Sequence, residues 1–285
     1  MNLSIIIPAY NEEESIERII KELKQELNKL DLDYEMIVVN DASIDKTGEI
    51  LKKISNIKII EHPENRGYGA SLKSGFKKSQ GELILIIDAD GTYPNESIPE
   101  LIKYASSYDM VIGARTGKQT KIPLIRKPAK WILNRLANYL SESKIPDLNS
   151  GLRIMKRPLI EKFLYILPNG FSFTTTITLA SLTNGYNVKY LPINYLKRRG
   201  KSKFRPIRDT LNFFQLIIRT ILYFNPLKIF VPLSSILVLS AVVVFVFSYF
   251  FAAKIMDVTI AILLISAIQL LAIGMIADLI TKRKT

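Results

Sequence analysis

Cysteine is absent from the 285 residues, which excludes a disulfide framework and any thiolate metal site. Histidine occurs once, at His62. It follows an apolar run and reads as a local hydrogen-bonding or capping residue rather than a catalytic base. Acidic residues are scarce beside basic ones, 26 against 39, giving a net charge of +13. Such an excess suits nucleic acid, a membrane surface or an anionic substrate. Interleaved base-stacking aromatics are not evident, which sets nucleic acid aside. Internal repeats and low-complexity tracts are also missing. Residues 3–9 are too short for a secretory leader and are followed by acids.

What is present divides the chain. Residues 229–253 and 258–277 are runs without charge, each long enough at about 1.5 Å per residue to cross a hydrocarbon core. The short link holds only Lys254, whereas Lys228 and Lys282-Arg283-Lys284 flank the outer ends. The positive-inside rule then predicts a multi-pass protein of the cell membrane, with the N-terminal domain and both termini cytoplasmic. Seven basic residues fall between Lys197 and Arg208. Beyond them, apolar residues at Ile207, Leu211, Phe214, Ile218, Ile221 and Leu222 predict an amphipathic helix lying in the membrane interface. The predicted divisions are a catalytic domain over 1–205, an interfacial helix over 206–226 and a membrane hairpin over 227–285, its spans at about 229–253 and 258–279.

The first 110 residues alternate strand and helix signals: strands near 3–7, 36–39, 57–60, 83–87 and 110–112, helices near 11–30, 45–54, 67–79 and 99–106. Asn11 with Glu14 resembles a capping box. Further on, 128–140 and 173–182 read as helices, 150–155 and 188–197 as strands. This order predicts a mostly parallel α/β sheet with right-handed crossovers. The fourth strand runs into Asp88-Ala89-Asp90. Residues at i and i+2 of a strand share a face, so both carboxylates are expected at the carboxyl edge where open α/β sheets bind ligands. Two hard oxygen ligands there suit Mg²⁺ or Mn²⁺ holding a diphosphate. Pro8-Ala9-Tyr10-Asn11-Glu12 and Asn40-Asp41-Ala42-Ser43 follow strands one and two at the same edge, with groups able to hydrogen-bond a base and ribose.

These segments, with Asn65-Arg66-Gly67, resemble the family 2 glycosyltransferases of GT-A (Rossmann-like) fold. Gly113-Ala114-Arg115, Asp147-Leu148-Asn149-Ser150-Gly151-Leu152-Arg153 and Arg199-Gly200-Lys201-Ser202-Lys203 resemble the subgroup that glycosylates polyprenyl phosphates, to which dolichol-phosphate mannose synthase and bactoprenol glucosyltransferases belong. The resemblance implies a mixed, mostly parallel sheet and a hexosyltransferase. It implies nucleotide binding by Pro8, Tyr10, Asn11, Glu12, Asp41, Ser43, Arg66, Asp88 and Ala89, with metal at Asp88 and Asp90. Asp90, Asp147 and Arg115 are the expected catalytic residues. Arg115, Arg153, Arg199, Lys201, Ser202 and Lys203 are the expected binders of the acceptor phosphate. The segment after Asp90 is Gly91-Thr92-Tyr93-Pro94 rather than one containing Gln, and residues 171–176 carry no acid, which leaves the sugar open. Trp131 lacks the Gln-x-x-Arg-Trp setting of processive synthases, so a polymerase is not expected.

The expected reaction is inverting, metal-dependent transfer of one sugar from a UDP- or GDP-linked donor to a dolichyl or undecaprenyl phosphate. A phosphate monoester, with its second pKa near about 6, is already largely ionised at neutral pH and needs no strong base. Alternatives are a lipid-linked saccharide or diacylglycerol acceptor, or a non-catalytic nucleotide-sugar binding subunit. Gln269 within the second span suggests helix contacts in a homo-oligomer, a dimer or tetramer.

Overall fold

The computed structural model describes residues 2–117, 135, 137–139, 141–170, 172–196, 215, 217–251, 254 and 256–282. The chain forms two compact units, Met1–Phe214 and Gln215–Thr285. The first is built from β1 (Leu3–Ala9), α1 (Ile16–Leu27), β2 (Tyr34–Asn40), α2 (Thr47–Lys52), β3 (Lys58–Glu61), α3 (Tyr68–Lys78) and β4 (Leu83–Ile86). It continues through α4 (Ile98–Ala105), β5 (Met110–Ala114), β6 (Arg153–Lys156), α5 (Arg157–Phe163), α6 (Phe173–Thr183) and β7 (Val188–Pro192). The seven strands lie in one sheet in the order β3-β2-β1-β4-β6-β5-β7. Only β6 runs antiparallel, to β4 on one side and β5 on the other.

Strand alternation explains how both faces are covered. Ile5, Ile7, Met36, Val38 and Leu85 point into one buried cluster. Against it α1 lays a stripe at Ile16, Ile19, Ile20, Leu23 and Leu27, the spacing of a single helix face. Ile6 and Val39 point the other way, onto α3. A Cβ at Gly75 of α3 would lie 2.5 Å from Ile6 Cγ2, so the missing side chain permits this close approach.

The register fixes the working edge. Ala9 of β1 pairs with Asn40 of β2, and Ile6 with Ile86 of β4. The loops after these three parallel strands therefore open side by side. Helix α1 begins at Ile16 with Ser15 preceding it, so the expected start at Asn11 is corrected. Asn11 instead has φ of 57° and serves the neighbouring loop. Strand β4 ends at Ile86, so Asp88 and Asp90 sit in the turn beyond it rather than on the strand. Helix α5 has no counterpart among the sequence expectations. The expected helix at 128–140 and the segment 197–214 fall largely or wholly outside the described residues.

The second unit contains α7 (Leu227–Phe251) and α8 (Asp257–Lys282), both long and apolar enough to cross a membrane. They pack as a hairpin. Ser234 Oγ donates to Ala267 O at 2.9 Å. Gly274 lets Phe230 close on the α8 backbone, where a Cβ would lie 3.0 Å from Phe230 Cγ. Most large apolar side chains of both helices face outward, the opposite of a soluble core pair. Residues 217–224, preceding α7, are helical.

Candidate active site

The loops after β1 and β2 are stitched together. Asn11 N donates to Ser43 Oγ at 3.0 Å, and Asn11 Oδ1 accepts from Ile44 N at 2.9 Å. Glu12 N donates to Thr47 Oγ1. Glu13 N donates to Asp45, and Lys46 N returns a bond to Glu13. Asn11 and Ala42 both hold positive φ, 57° and 58°. Such backbone conformations are uncommon for residues other than glycine and persist where surrounding bonds over-determine them. The sequence predicted these two loops as neighbours; the reciprocal bonding by Asn11, Glu12 and Ser43 is what aligns them.

Asp41 anchors the third piece. Its Oδ1 accepts from Arg66 N at 2.9 Å and its Oδ2 from Gly67 N at 2.8 Å. Gly67 has φ of 94° and leads into α3. The Asn65-Arg66-Gly67 loop is thereby held against the end of β2. The Asp41 side chain itself is buried and committed to this loop.

Asp88 and Asp90 follow β4 at the same edge. Asp90 is 8% exposed, and its Oδ1 accepts from both Thr92 N and Thr92 Oγ1, closing a local turn. The Asp88 carboxylate lies over Gly151, where a Cβ would stand 2.7 Å from Oδ1. Glycine at 151 therefore makes the space the carboxylate occupies. Tyr68, at the start of α3, faces Asp88. Burial first, then that carboxylate, pushes its phenol well above the usual range. Tyr93 accepts a hydrogen bond from Gly151 N at 2.6 Å, and burial pushes its phenol up as well. Sequence reasoning missed Tyr68, Tyr93 and Gly151 as neighbours of Asp88, since nothing local in the chain joins positions 68, 93 and 151.

Ala89 is buried, and its carbonyl accepts from Ser15 Oγ at 2.7 Å. Pro8 lies within β1, paired with Val39, and Tyr10 is the first residue beyond that strand.

Arg115 and Asp147 meet in a fork: Nε donates to Oδ2 at 2.7 Å and Nη2 to Oδ1 at 2.8 Å, with Arg115 N adding a bond at 2.9 Å. Burial acts to raise the Asp147 pKa, but the Arg115 hydrogen bonds and charge, with backbone donors, hold it below the usual carboxylate range. The Arg115 guanidinium also lies 5.3 Å from the Tyr195 ring centroid. Tyr195 packs edge-on against Tyr93.

Arg153 requires correction. It was expected to bind acceptor phosphate, yet it is fully buried on β6, between Ile86 and Ile112. Its donors go to Ser150 O, Thr174 O and Thr178 Oγ1. A guanidinium must place its donors when buried, and here it ties the 147–151 turn to α6. Arg199, Lys201, Ser202 and Lys203 lie outside the described residues. The chain approaches them from a defined point: Leu196 N donates to Thr92 O at 2.9 Å.

No group of three or more His, Asp or Glu side chains able to hold a metal occurs among the described residues. Two carboxylates that leave the remaining positions to phosphate and water match how Mg²⁺ and similar hard cations are bound beside phosphates. The donor set at Asp88 and Asp90 therefore fits such an ion.

Comparison with known proteins agrees with this geometry. The glycosyl transferase family 2 model matches residues 4–164, and the GtrB C-terminal hairpin model matches 225–282. An undecaprenyl-phosphate 4-deoxy-4-formamido-L-arabinose transferase of Yersinia enterocolitica is 30% identical over 245 residues, covering 84% of this chain and 72% of that protein. The Photorhabdus laumondii enzyme of the same name is 35% identical over 173 residues, 57% of this chain; those residues span about half of that relative, 51%. Glucosyl-3-phosphoglycerate synthase from Mycobacterium tuberculosis, solved with UDP, has a TM-score of 0.60 at 17% identity, covering 77% of this chain and 80% of its own. S. aureus TarS 1-349 with UDP-GlcNAc has a TM-score of 0.56 at 24% identity, covering 78% and 67%. These two likenesses carry the fold alone. The strand order, the carboxylate turn after β4 and the family match together make this chain a member of glycosyl transferase family 2, with a GT-A domain followed by a GtrB-type hairpin.

Proposed function

We propose that this protein transfers a single sugar from a nucleotide diphosphate sugar to the phosphate of a polyprenyl phosphate, with inversion, at the cytoplasmic face of a membrane. In balance, the anomeric C–O bond to the diphosphate breaks, a C–O bond to an acceptor phosphate oxygen forms, and the nucleoside diphosphate leaves. The observation that carries this reading is the Leu196–Thr92 hydrogen bond. It brings the last residue before the basic segment beside the turn that holds Asp90. In the sequence, the seven basic residues from Lys197 to Arg208 begin directly after this point, which supports an anionic acceptor. The names of the relatives from Yersinia and Photorhabdus support the polyprenyl acceptor.

In this reading the loops at Pro8–Glu12, Asp41–Ser43 and Arg66 receive the nucleotide, in a GT-A domain over 1–205. Asp90, with Asp88, would hold Mg²⁺ or Mn²⁺, which supplies neutralisation of charge developing on the leaving group. Asp147 is a poor general base, because Arg115 stabilises its ionised form. A phosphate nucleophile, already ionised, asks for none. The Arg115–Asp147 pair instead sets the shape of the site, and Arg199, Lys201, Ser202 and Lys203 are assigned to the acceptor phosphate. The stretch 206–226 is assigned to the membrane interface and 227–285 to the anchor.

The test is a donor panel. Purified full-length protein is incubated with Mg²⁺ or Mn²⁺, a polyprenyl phosphate and common UDP- and GDP-sugars. A lipid-linked monosaccharide with one donor is the expected result. No product with any donor, or products bearing several sugars, would overturn the proposal.

A further inference from the structure

We infer that His62 is a positioning residue for the donor nucleotide: its imidazole bridges Asp41 and Ser74 and so fixes the carboxylate that shapes the Asn65-Arg66-Gly67 loop. The inference rests on the reading that this edge receives the nucleotide. His62 is the first residue after β3 and is 7% exposed. Nδ1 lies 2.6 Å from Asp41 Oδ1, and Nε2 lies 2.9 Å from Ser74 Oγ on α3. A carboxylate only accepts hydrogen bonds, so Nδ1 carries the hydrogen. In the neutral ring Nε2 then accepts from the Ser74 hydroxyl. The two partners fix both the tautomer and the ring plane.

Asp41 is the hub of four segments. Its N–H donates to Ala9 O at the end of β1, and its carboxylate takes Arg66 N, Gly67 N and His62. Asn65 Nδ2 reaches its carbonyl at 3.4 Å. Helix α3 has other anchors: Ala70 N donates to Asn169 O, and Gly75 packs on Ile6. Loss of His62 therefore leaves the helix in place. It removes one of the three donors that hold the Asp41 carboxylate, and the backbone donors at 66 and 67 are left with a less rigidly held acceptor. The phenotype belongs to nucleotide binding, not to folding. His62 also lines a cavity of about 380 Å³ with Asn40, Ala42 and Ser43, so the ring borders open space at the same edge.

Two substitutions divide the bridge. In H62N the amide nitrogen falls near the place of Nδ1 and keeps the Asp41 bond. In H62Q the amide falls near Nε2 and keeps the Ser74 bond instead. UDP and GDP are titrated with Mg²⁺ into each full-length protein by calorimetry, and unfolding midpoints are measured in parallel. The expected result is that H62Q weakens whichever nucleotide binds by about tenfold and H62N by at most about twofold, the scale of one charge-assisted hydrogen bond. In turnover, H62Q raises the donor KM while kcat and the acceptor KM stay near wild type. Equal behaviour of the two variants overturns the inference, whether both bind as wild type or both lose binding together with their unfolding midpoint. A wild-type protein that binds neither nucleotide removes the reading of this edge and the inference with it.

Discussion

Asp90 carries two separable duties. Its Oδ1 accepts two hydrogen bonds from Thr92, which closes the turn, while its charge is the proposed cation ligand. D90N retains an oxygen for Thr92 and loses the charge. We expect the unfolding midpoint to stay near wild type and kcat to fall by at least about a hundredfold, since several kcal/mol of charge stabilisation is removed and each 1.4 kcal/mol is tenfold. Near-normal turnover in D90N would remove the metal assignment. Asp147 gives a pH prediction. Its pKa is depressed in the folded state by Arg115. The stability it contributes is therefore present above its unfolded value of about 3.9 and is lost as pH falls through the lower folded value. Urea unfolding from pH 7 down to pH 2 should show this acid-limb loss, and D147N should lack that component. His62 was legible in the sequence only as a local hydrogen-bonding group, Asp88 and Asp147 as chemistry-bearing residues. Their partners were not: Ser74, Tyr68 and Arg115 lie 12, 20 and 32 residues away and meet them only through the sheet.

Among the elements, two glycines separate packing from function. A Cβ at Gly69 in α3 would meet backbone atoms of the loop before α6, with Asn169 C and Gly170 O both at 2.9 Å. Backbone cannot swing aside as a side chain can. G69A should lose about 1–3 kcal/mol of stability, as overpacked sites do, measured by chemical denaturation. A Cβ at Gly151 would meet the Asp88 carboxylate, a side chain that can move. G151A should fold but lose turnover by displacing Asp88. If G151A destabilised the fold while G69A did not, the assignment of the two roles would be reversed. Arg153 shows why one element was misread. Its place on a central strand turns the guanidinium onto the sheet face covered by α6, where it meets Thr174 O and Thr178 Oγ1, a burial that sequence cannot reveal when both neighbouring strands are distant in the chain. The strands expected near 3–7, 36–39 and 83–87 were legible because each carries a compact apolar run, Ile5-Ile6-Ile7, Met36-Ile37-Val38-Val39 and Leu83 to Ile87. Helix α5 was missed because it follows β6 without an intervening loop, from Lys156 to Arg157.

For the whole molecule, the absence of cysteine provides a clean background for mapping topology. A single M256C lies in the link between the membrane helices. We predict that it is labelled by a membrane-impermeant maleimide on intact cells, whereas T285C requires permeabilised cells. The reverse pattern would invert the proposed orientation. The two long apolar helices were the most legible part of the chain, because their length and lack of charge can be read directly from the sequence. Gln269 stands exposed on α8 amid apolar residues. An amide in hydrocarbon is costly unless bonded, which is the reason the sequence predicts a homo-oligomer through this helix. Q269L should shift the mass of the detergent-solubilised protein towards the monomer, and an unchanged mass would remove Gln269 as the contact.

In the proposed reaction the acceptor attacks through a phosphate that arrives ionised, so the site needs no strong base. The most direct measurement offers the purified protein, with its preferred donor and Mg²⁺, either a polyprenyl phosphate or the corresponding polyprenol, and identifies the lipid product by mass spectrometry. A singly glycosylated product from the phosphate and none from the alcohol is the expected result. Glycosylation of the alcohol at a comparable rate would contradict it.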